Sequence, residues 1–533
     1  MSDASGPGLR QSQSVLHTWS GLLVGWVLFG IFLAGTASFW RDEISRWTRP
    51  ELTPAYDQTA ALQGATQFLA AKAPGAKSWT IELPTERGAG ALLRWQPQPK
   101  PGEKPKRQRG FANSQWLDGS GKPVTVRETR GGDFFYRLHF DLYYMPVLWA
   151  RWFVGFCAML MLVAIVSGVI THKKIFKDFF TFRPGRRQRN WLDGHNATAV
   201  LALPFHLMIT YTGLVTLMSL YMPWGAFANY GALEPMYREM FPIVTAAKRV
   251  DQPAPLPALA PLAKQAEKLW QGGHLASVRI SEPGDAGQQI EMGRRLSDRI
   301  VDGGQPVIFD GSGKQIAGPP PQSAVMATRG AMIGLHAGRF ADLTMRWLYF
   351  LCSVAGTVMV GSGLAMWIAK RREKLPDPAR PHFGFRLVER LNIAFIAGMP
   401  LAMTGFLWGN RLLATGIKGR IEAEINWMFW LWGAAILIAL LLKPRIAWTG
   451  LFGATGVSLV TLALADLFLT DTGLFASIGH GDWALAGMET GFVAIGLIFF
   501  WLARKAARKP AMAAPRKRRA TTVMPSPELV AAE

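Results

Sequence analysis

The chain has 533 residues, 50% of them hydrophobic and only 18% charged, with 21 Trp and 31 Phe. A soluble globular domain does not carry that balance, so the composition predicts a polytopic all-α membrane protein. The formal charge of +22 resides in Lys and Arg beside apolar spans, with no nucleic-acid motif among them; it excludes nucleic acid as a partner and points to the lipid bilayer.

Eight stretches are apolar for the roughly 20 residues that a membrane crossing needs. They lie near 15–40, 146–171, 196–220, 343–369, 391–409, 425–442, 446–469 and 483–502. No small-residue cleavage site follows the first, which reads as a retained span. Lys and Arg collect in three places: seven from Lys173 to Arg189, seven from Lys370 to Arg390 and eight from Arg504 to Arg519. All three share one side if both termini are cytoplasmic. The predicted order is then an N-terminus with span one (1–40), a first extracytoplasmic domain (41–145), and spans two and three around a basic cytoplasmic loop (146–220). A second extracytoplasmic domain (221–342), span four (343–372), a four-span C-terminal module (373–502) and a basic cytoplasmic tail (503–533) complete it.

Residues 76–95 and 275–310 alternate apolar and polar positions, and both insertions carry the string Asp-Gly-Ser-Gly-Lys, at Asp118–Lys122 and Asp310–Lys314. Such a turn suits a hairpin between short strands, so each insertion is expected to form a small α+β domain. Residues 97–109, rich in Pro and Lys, and 251–262, rich in Pro and Ala, read as irregular connections.

The repeated turn belongs to a longer duplication. Leu138-His139, Arg151-Trp152, Cys157 and Ser167-Gly168 recur as Leu335-His336, Arg346-Trp347, Cys352 and Ser362-Gly363. Likewise His17 precedes Gly35-Thr36 by 18 residues and His195 precedes Thr212-Gly213 by 17. The first four spans therefore form two tandem hairpins. A pseudo-twofold axis along the membrane normal brings His17 opposite His195 at the cytoplasmic boundary and His139 opposite His336 at the other. Two imidazoles from different helices at one depth are what a b-type haem takes as axial ligands, and the space between bundle helices takes the porphyrin. The duplication thus predicts a four-helix core with two b-type haems. Histidines that merely sit at the interface are the bland alternative.

Two more histidines are substitutes. On a straight helix His206 lies about 20° around and roughly 16 Å along from His195, inside the bundle, where a plain interhelical hydrogen bond also explains a histidine. His172, at the end of span two, competes for the inner iron, although the second repeat has Trp367 there. Arg151 and Arg346 read either as interface anchors beside tryptophan or as partners of a haem propionate, and Cys157 and Cys352 read as packing residues.

The run of histidine span, domain with Asp-Gly-Ser-Gly-Lys, Leu-His and a span ending in Ser-Gly, given twice, resembles the PepSY-associated transmembrane-helix family over about residues 10–372. The resemblance rests on His17 with Trp19 and Gly21, Asp193-Gly-His-Asn196 with Thr212-Gly213, and the two Leu-His segments. It implies a bacterial inner-membrane protein of the ferric-siderophore reductase or iron-regulated type, with periplasmic PepSY domains above a diheme core. Electrons would pass to a ferric siderophore or other ferric chelate outside. No dinucleotide fingerprint occurs, so the donor is expected to be quinol or a cytoplasmic reductase.

Spans five to eight lie beyond that resemblance. Glu389 and Arg390 are expected to pair or snorkel, Asp466 to reach water, and Glu489 to stand as an intramembrane carboxylate. Two other classes compete with the redox reading: a permease, which predicts broken helices at matching places in both halves, and a non-catalytic sensor or protease modulator, which needs no boundary histidines.

Overall fold

The computed structural model describes residues 8–52, 57–85, 87–99, 113–172, 187–240, 247–301, 303, 306–319, 321–377 and 380–508. Most of the 97–109 connection, the basic loop after His172 and most of the C-terminal tail lie outside them. Among the described residues seven helices are long and apolar enough to cross a membrane: α1 (Leu9–Ser38), α5 (Val147–Thr171), α10 (Leu343–Arg372), α11 (Phe383–Leu412), α12 (Arg420–Leu441), α13 (Pro444–Leu469) and α14 (Trp483–Ala507). An eighth crossing is a bent pair, α6 (Arg187–Leu201) and α7 (Leu203–Thr216). The eight apolar stretches in the sequence match these elements, and the chain is a multi-pass membrane protein.

The straight third span does not form. α6 and α7 meet at 67°, and Pro204 in the first turn of α7 supplies the reason, since proline has no N–H to continue a helix but fits its start. His195 and His206 are therefore not on one continuous face.

Between the spans lie α2 (Arg41–Trp47), α3 (Gln58–Lys72), α4 (Gly132–Asp141), α8 (Leu259–Leu269) and α9 (Ala324–Ala337). The first insertion supplies strands β1 (Ser78–Glu82), β2 (Ala91–Gln96), β3 (Ser114–Leu117) and β4 (Pro123–Val124). The second supplies β5 (Leu275–Ser281), β6 (Gln289–Arg294), β7 (Val307–Asp310) and β8 (Gln315–Ala317). The two α+β units expected separately share one eight-stranded sheet, ordered β4-β3-β2-β1-β5-β6-β7-β8. They join where β1 and β5 pair antiparallel, Thr80 opposite Arg279 and Ile81 opposite Val278. Each half alone would present β1 or β5 as an open edge, and the junction satisfies both. Leu62 and Leu69 of α3, Leu262 and Ala266 of α8, and Ile81 and Val278 of the central strands form one apolar core. Both Asp-Gly-Ser-Gly-Lys strings are hairpin turns built alike. Asp118 Oδ1 accepts from Ser120 N, Ser120 Oγ and Lys122 N at 2.9, 2.8 and 3.0 Å, and Asp310 Oδ1 accepts from Ser312 N, Ser312 Oγ and Lys314 N at 2.9, 2.7 and 3.0 Å.

The C-terminal helices are tied to both hairpins by buried polar contacts. Trp26 Nε1 donates to Asn392 Oδ1 at 2.9 Å, and Asn392 Nδ2 donates to the Leu364 carbonyl at 3.0 Å. At the sheet side Arg411 pairs with Asp466, donates to the Trp47 carbonyl at 2.8 Å and stacks 3.5 Å over the Trp47 ring. Glu489, fully buried, accepts from Trp47 Nε1. Asp466 is 1% exposed and so does not reach water; Arg411, 55 residues earlier, satisfies it instead. Nor do Glu389 and Arg390 pair with each other: Glu389 takes Arg372, and Arg390 caps the carbonyl end of α12 through Ala439 O at 2.7 Å.

Candidate functional site

The two hairpins meet face to face, and four histidines meet with them. His17 of α1 and His195 of α6 have ring centres 6.3 Å apart, with planes at 71°. His139 of α4 and His336 of α9 have ring centres 6.1 Å apart, with planes at 39°. These are the two pairs expected from the duplication. Two imidazoles that share one metal ion would hold their ring centres about 6 Å apart, a spacing with which each pair is compatible.

The setting of each ring is the same. His17 Nδ1 lies 2.8 Å from the Ala164 carbonyl, His139 Nδ1 2.7 Å from Ile31 O, His195 Nδ1 2.9 Å from Met359 O and His336 Nδ1 2.9 Å from Ile209 O. A carbonyl only accepts, so Nδ1 carries the proton and Nε2 keeps its lone pair. That arrangement fixes ring orientation and raises the basicity of the ligating nitrogen.

Four residues after each accepting carbonyl stands a glycine: Gly168, Gly35, Gly363 and Gly213. A Cβ on Gly35 would lie 2.7 Å from His139 Nδ1, and one on Gly213 would lie 2.8 Å from His336 Cε1. On Gly168 and Gly363 it would lie 3.1 and 3.2 Å from the rings of His17 and His195. The imidazole needs the helix backbone bare at this point. The Ser167-Gly168, Ser362-Gly363, Gly35-Thr36 and Thr212-Gly213 steps that mark the repeats in the sequence are these seats, and Ser362 Oγ and Thr212 Oγ1 add second contacts at 3.4 Å to His195 and His336.

A cavity of about 1130 Å³ opens at the His139/His336 pair and reaches the sheet. Its bundle end is apolar, with Leu28, Ile31 and Met161, and its sheet end is charged, with Arg87, Arg295 and Asp298. Such a shape accepts a flat apolar group with an anionic edge. Arg346 lines this cavity and bonds Glu43 at 2.6 Å, while Arg87 holds the same carboxylate. Arg151 bonds Asp141 at 2.8 Å. Arg346 is 8% exposed, which removes the simple interface-anchor reading for that residue.

The substitutes stand apart from both pairs. His172 Nε2 accepts from Asn196 Nδ2 at 3.0 Å. His206 is 1% exposed and packs against Phe32 and Phe205. Cys157 is buried in the apolar cluster with Leu28 and Met161. Among the described residues no three His, Cys, Asp or Glu side chains converge as a metal cluster; the pairs are what the fold offers. Sequence reasoning named Asp466 and Glu489 but missed Arg411, which pairs with Asp466 and lies just past the 391–409 stretch.

Membrane-crossing hairpins that present paired imidazoles beneath a shared sheet define a multi-pass membrane protein with two candidate ligand pairs. The chain belongs to the PepSY-associated TM region family, whose model matches residues 14–370. No curated protein matches the chain. The family match ends inside α10, so α11 to α14 lie beyond it.

Proposed function

We propose that this protein is an inner-membrane electron carrier with two b-type haems, held by His17 with His195 and by His139 with His336, which reduces a ferric chelate on the sheet side. The observation that carries the reading is the common setting of the four rings: Nδ1 bound to a backbone carbonyl, Nε2 free, and a partner ring about 6 Å away. Haem in the two sites supplies one-electron relays at two depths of the bundle. The backbone carbonyls of Ala164, Ile31, Met359 and Ile209 hold the rings in one tautomer, and the glycine seats hold them at one depth. Leu28, Ile31 and Met161 line the bundle end of the cavity at the His139/His336 pair with apolar side chains. At the cavity's sheet end Arg295 stands with Asp298, and Arg87 is held by Glu43 and Asp42, so a guest there meets side chains of both signs.

The basic clusters favour a cytoplasmic side for both termini and the far end of the bundle, and on this reading the sheet is a pair of periplasmic PepSY domains. The donor, quinol or a cytoplasmic reductase, then acts at the His17/His195 end. The acceptor is an Fe(III) siderophore or similar oxygen-donor chelate. Hard oxygen ligands hold Fe(III) far more tightly than the larger, less charged Fe(II), so one electron loosens the complex. The test is to reduce the purified protein anaerobically, add a ferric trihydroxamate and follow haem absorbance together with Fe(II) trapped by a chromogenic chelator. Reoxidation with one Fe(II) per electron supports the reading; reduced haem that persists beside excess chelate refutes it.

A permease is the second reading, favoured by the 67° break in span three. It requires the matching α1 to break as well, and α1 runs unbroken over 30 residues.

A further inference from the structure

Two carboxyl groups meet inside the C-terminal module. Glu489, in the second turn of α14, is fully buried, and Asp466, in the last turn of α13, is 1% exposed. Both oxygens of Asp466 accept from Arg411 of α11, Oδ1 from Nε and Oδ2 from Nη2 at 3.3 Å. The guanidinium has nothing left for Glu489: its Nη1 donates to Asn410 Oδ1 at 2.6 Å, and its Nη2 also serves the Trp47 carbonyl. Glu489 Oε1 accepts from Trp47 Nε1 of α2, while Glu489 Oε2 meets no donor. Within hydrogen-bond reach of Glu489 lies the Asp466 carboxylate.

The charges there do not balance if both carboxyls are ionised. Arg411 offsets one negative charge, and the other would stand buried against a like charge, which is far more costly than keeping a proton. Neighbouring cations are already engaged. Arg46, beside Trp47 on α2, pairs with Asp482 at the start of α14, both side chains about as buried as the cluster itself. Arg127, which faces Arg411, pairs with Glu51 at 2.6 Å. Leu462, Leu485 and Phe492 of the surrounding cluster are apolar. One proton on Glu489 removes the excess charge and turns the orphaned Oε2 into a donor aimed at an acceptor.

We infer that Glu489 and Asp466 form a proton-binding site: Glu489 stands at neutral pH as a carboxylic acid whose hydroxyl donates to the Asp466 carboxylate, which Arg411 keeps ionised. The ligand is a single proton from solvent, held between α13 and α14, outside the 14–370 segment that the family model matches. No haem takes part. Loss of the proton sets a second negative charge against Asp466 beneath the Trp47 indole. Trp47 joins α2 to the C-terminal module through Glu489 and Arg411, so occupancy of the site is coupled to the seating of the module on the first hairpin.

Two readouts on the full-length protein in detergent test the site, with Glu489→Gln as the variant because its amide reproduces both the donor and the acceptor of the neutral acid. Infrared spectra at neutral pH in H2O and D2O should show a carboxylic-acid C=O band that shifts on deuteration and is lost in Glu489→Gln. Denaturant unfolding from about pH 5.5 to about pH 8 supplies the second readout. A free glutamate ionises near about 4.3, so over this range the unfolded chain has released the proton that the folded chain retains. Wild type should therefore lose stability relative to Glu489→Gln as pH rises, the ratio of their unfolding constants changing about tenfold per pH unit. Parallel stability curves, or an acid band that survives Glu489→Gln, overturn the assignment. A wild type without an acid band overturns it as well, and that measurement decides the matter even if the variant fails to fold.

Discussion

At the scale of single residues, the glycine seats bear as much on the site as the histidines do. Gly213 leaves 2.8 Å between a would-be Cβ and the His336 ring, so Gly213→Val must push the imidazole off the Ile209 carbonyl. We expect that variant to hold about one haem fewer per polypeptide than wild type, measured by pyridine haemochrome. Gly433→Val, where nothing lies within 4 Å, should leave haem content unchanged. The turn carboxylates give a pH-linked prediction. The Ser312 hydroxyl, with help from the Ser312 and Lys314 amides and against a small burial penalty, holds the Asp310 carboxyl below its usual value of 3.8. Its contribution is complete above that value and lost as pH falls through the lowered one. The thermal stability of wild type over Asp310→Ala should shrink in that acid range and be constant near neutrality. The histidine pairing was legible because the duplication puts four rings at equivalent positions. The carbonyl partners were not, because a backbone acceptor leaves no mark in sequence. Only the repeated Ser-Gly steps, with Gly35-Thr36 and Thr212-Gly213, hinted that something must approach closely there.

At the scale of elements, helix positions followed from apolar length, since each backbone polar group in a membrane is satisfied within its own helix. What hydropathy does not reveal is direction. Span three carries Pro204 in a stretch apolar enough for a straight crossing, and the 67° turn depends on packing between α5, α9 and α10 as well as on the missing N–H. In α11, five residues from Ile393 to Ala397 form a π-helical turn before Pro400, and the Ala394 carbonyl is taken by Trp432 Nε1 at 3.1 Å. The Arg411–Asp466 pair is the clearest energetic claim at this scale. Both side chains are 1% exposed, so removing one partner leaves an uncompensated charge beside Glu489. Asp466→Ala should cost about 3–5 kcal/mol in denaturant unfolding, whereas Arg411→Met combined with Asp466→Leu should recover most of it. Equal losses in the single and double variants would refute that account. Sequence alone misplaced Asp466 in water because its partner lies 55 residues away in the chain, across the whole of α12, and only the packing of α11 against α13 brings the two together.

At the scale of the whole molecule, duplication yields one object with a shared centre. The two hairpins face each other through their histidines, and the two insertions share a sheet through β1 and β5. Alternating patterns in the sequence foretold the strands, but they do not say which edge a strand will meet; antiparallel pairing of β1 with its own copy needs the twofold relation of the entire bundle. Ile81→Pro removes a ladder N–H at that junction, so hydrogen exchange should quicken in β1 and β5 together while the α12 and α13 amides keep their protection. A change confined to β1 would mean that the halves are stable separately. The central claim concerns the paired histidines, and the dithionite-reduced minus oxidised spectrum of the purified protein, with haem counted per polypeptide, tests it most directly. We predict two b-type haems in the wild type and about one after His139→Ala with His336→Ala; a colourless protein from haem-replete cells, or a haem count indifferent to those two substitutions, would contradict it.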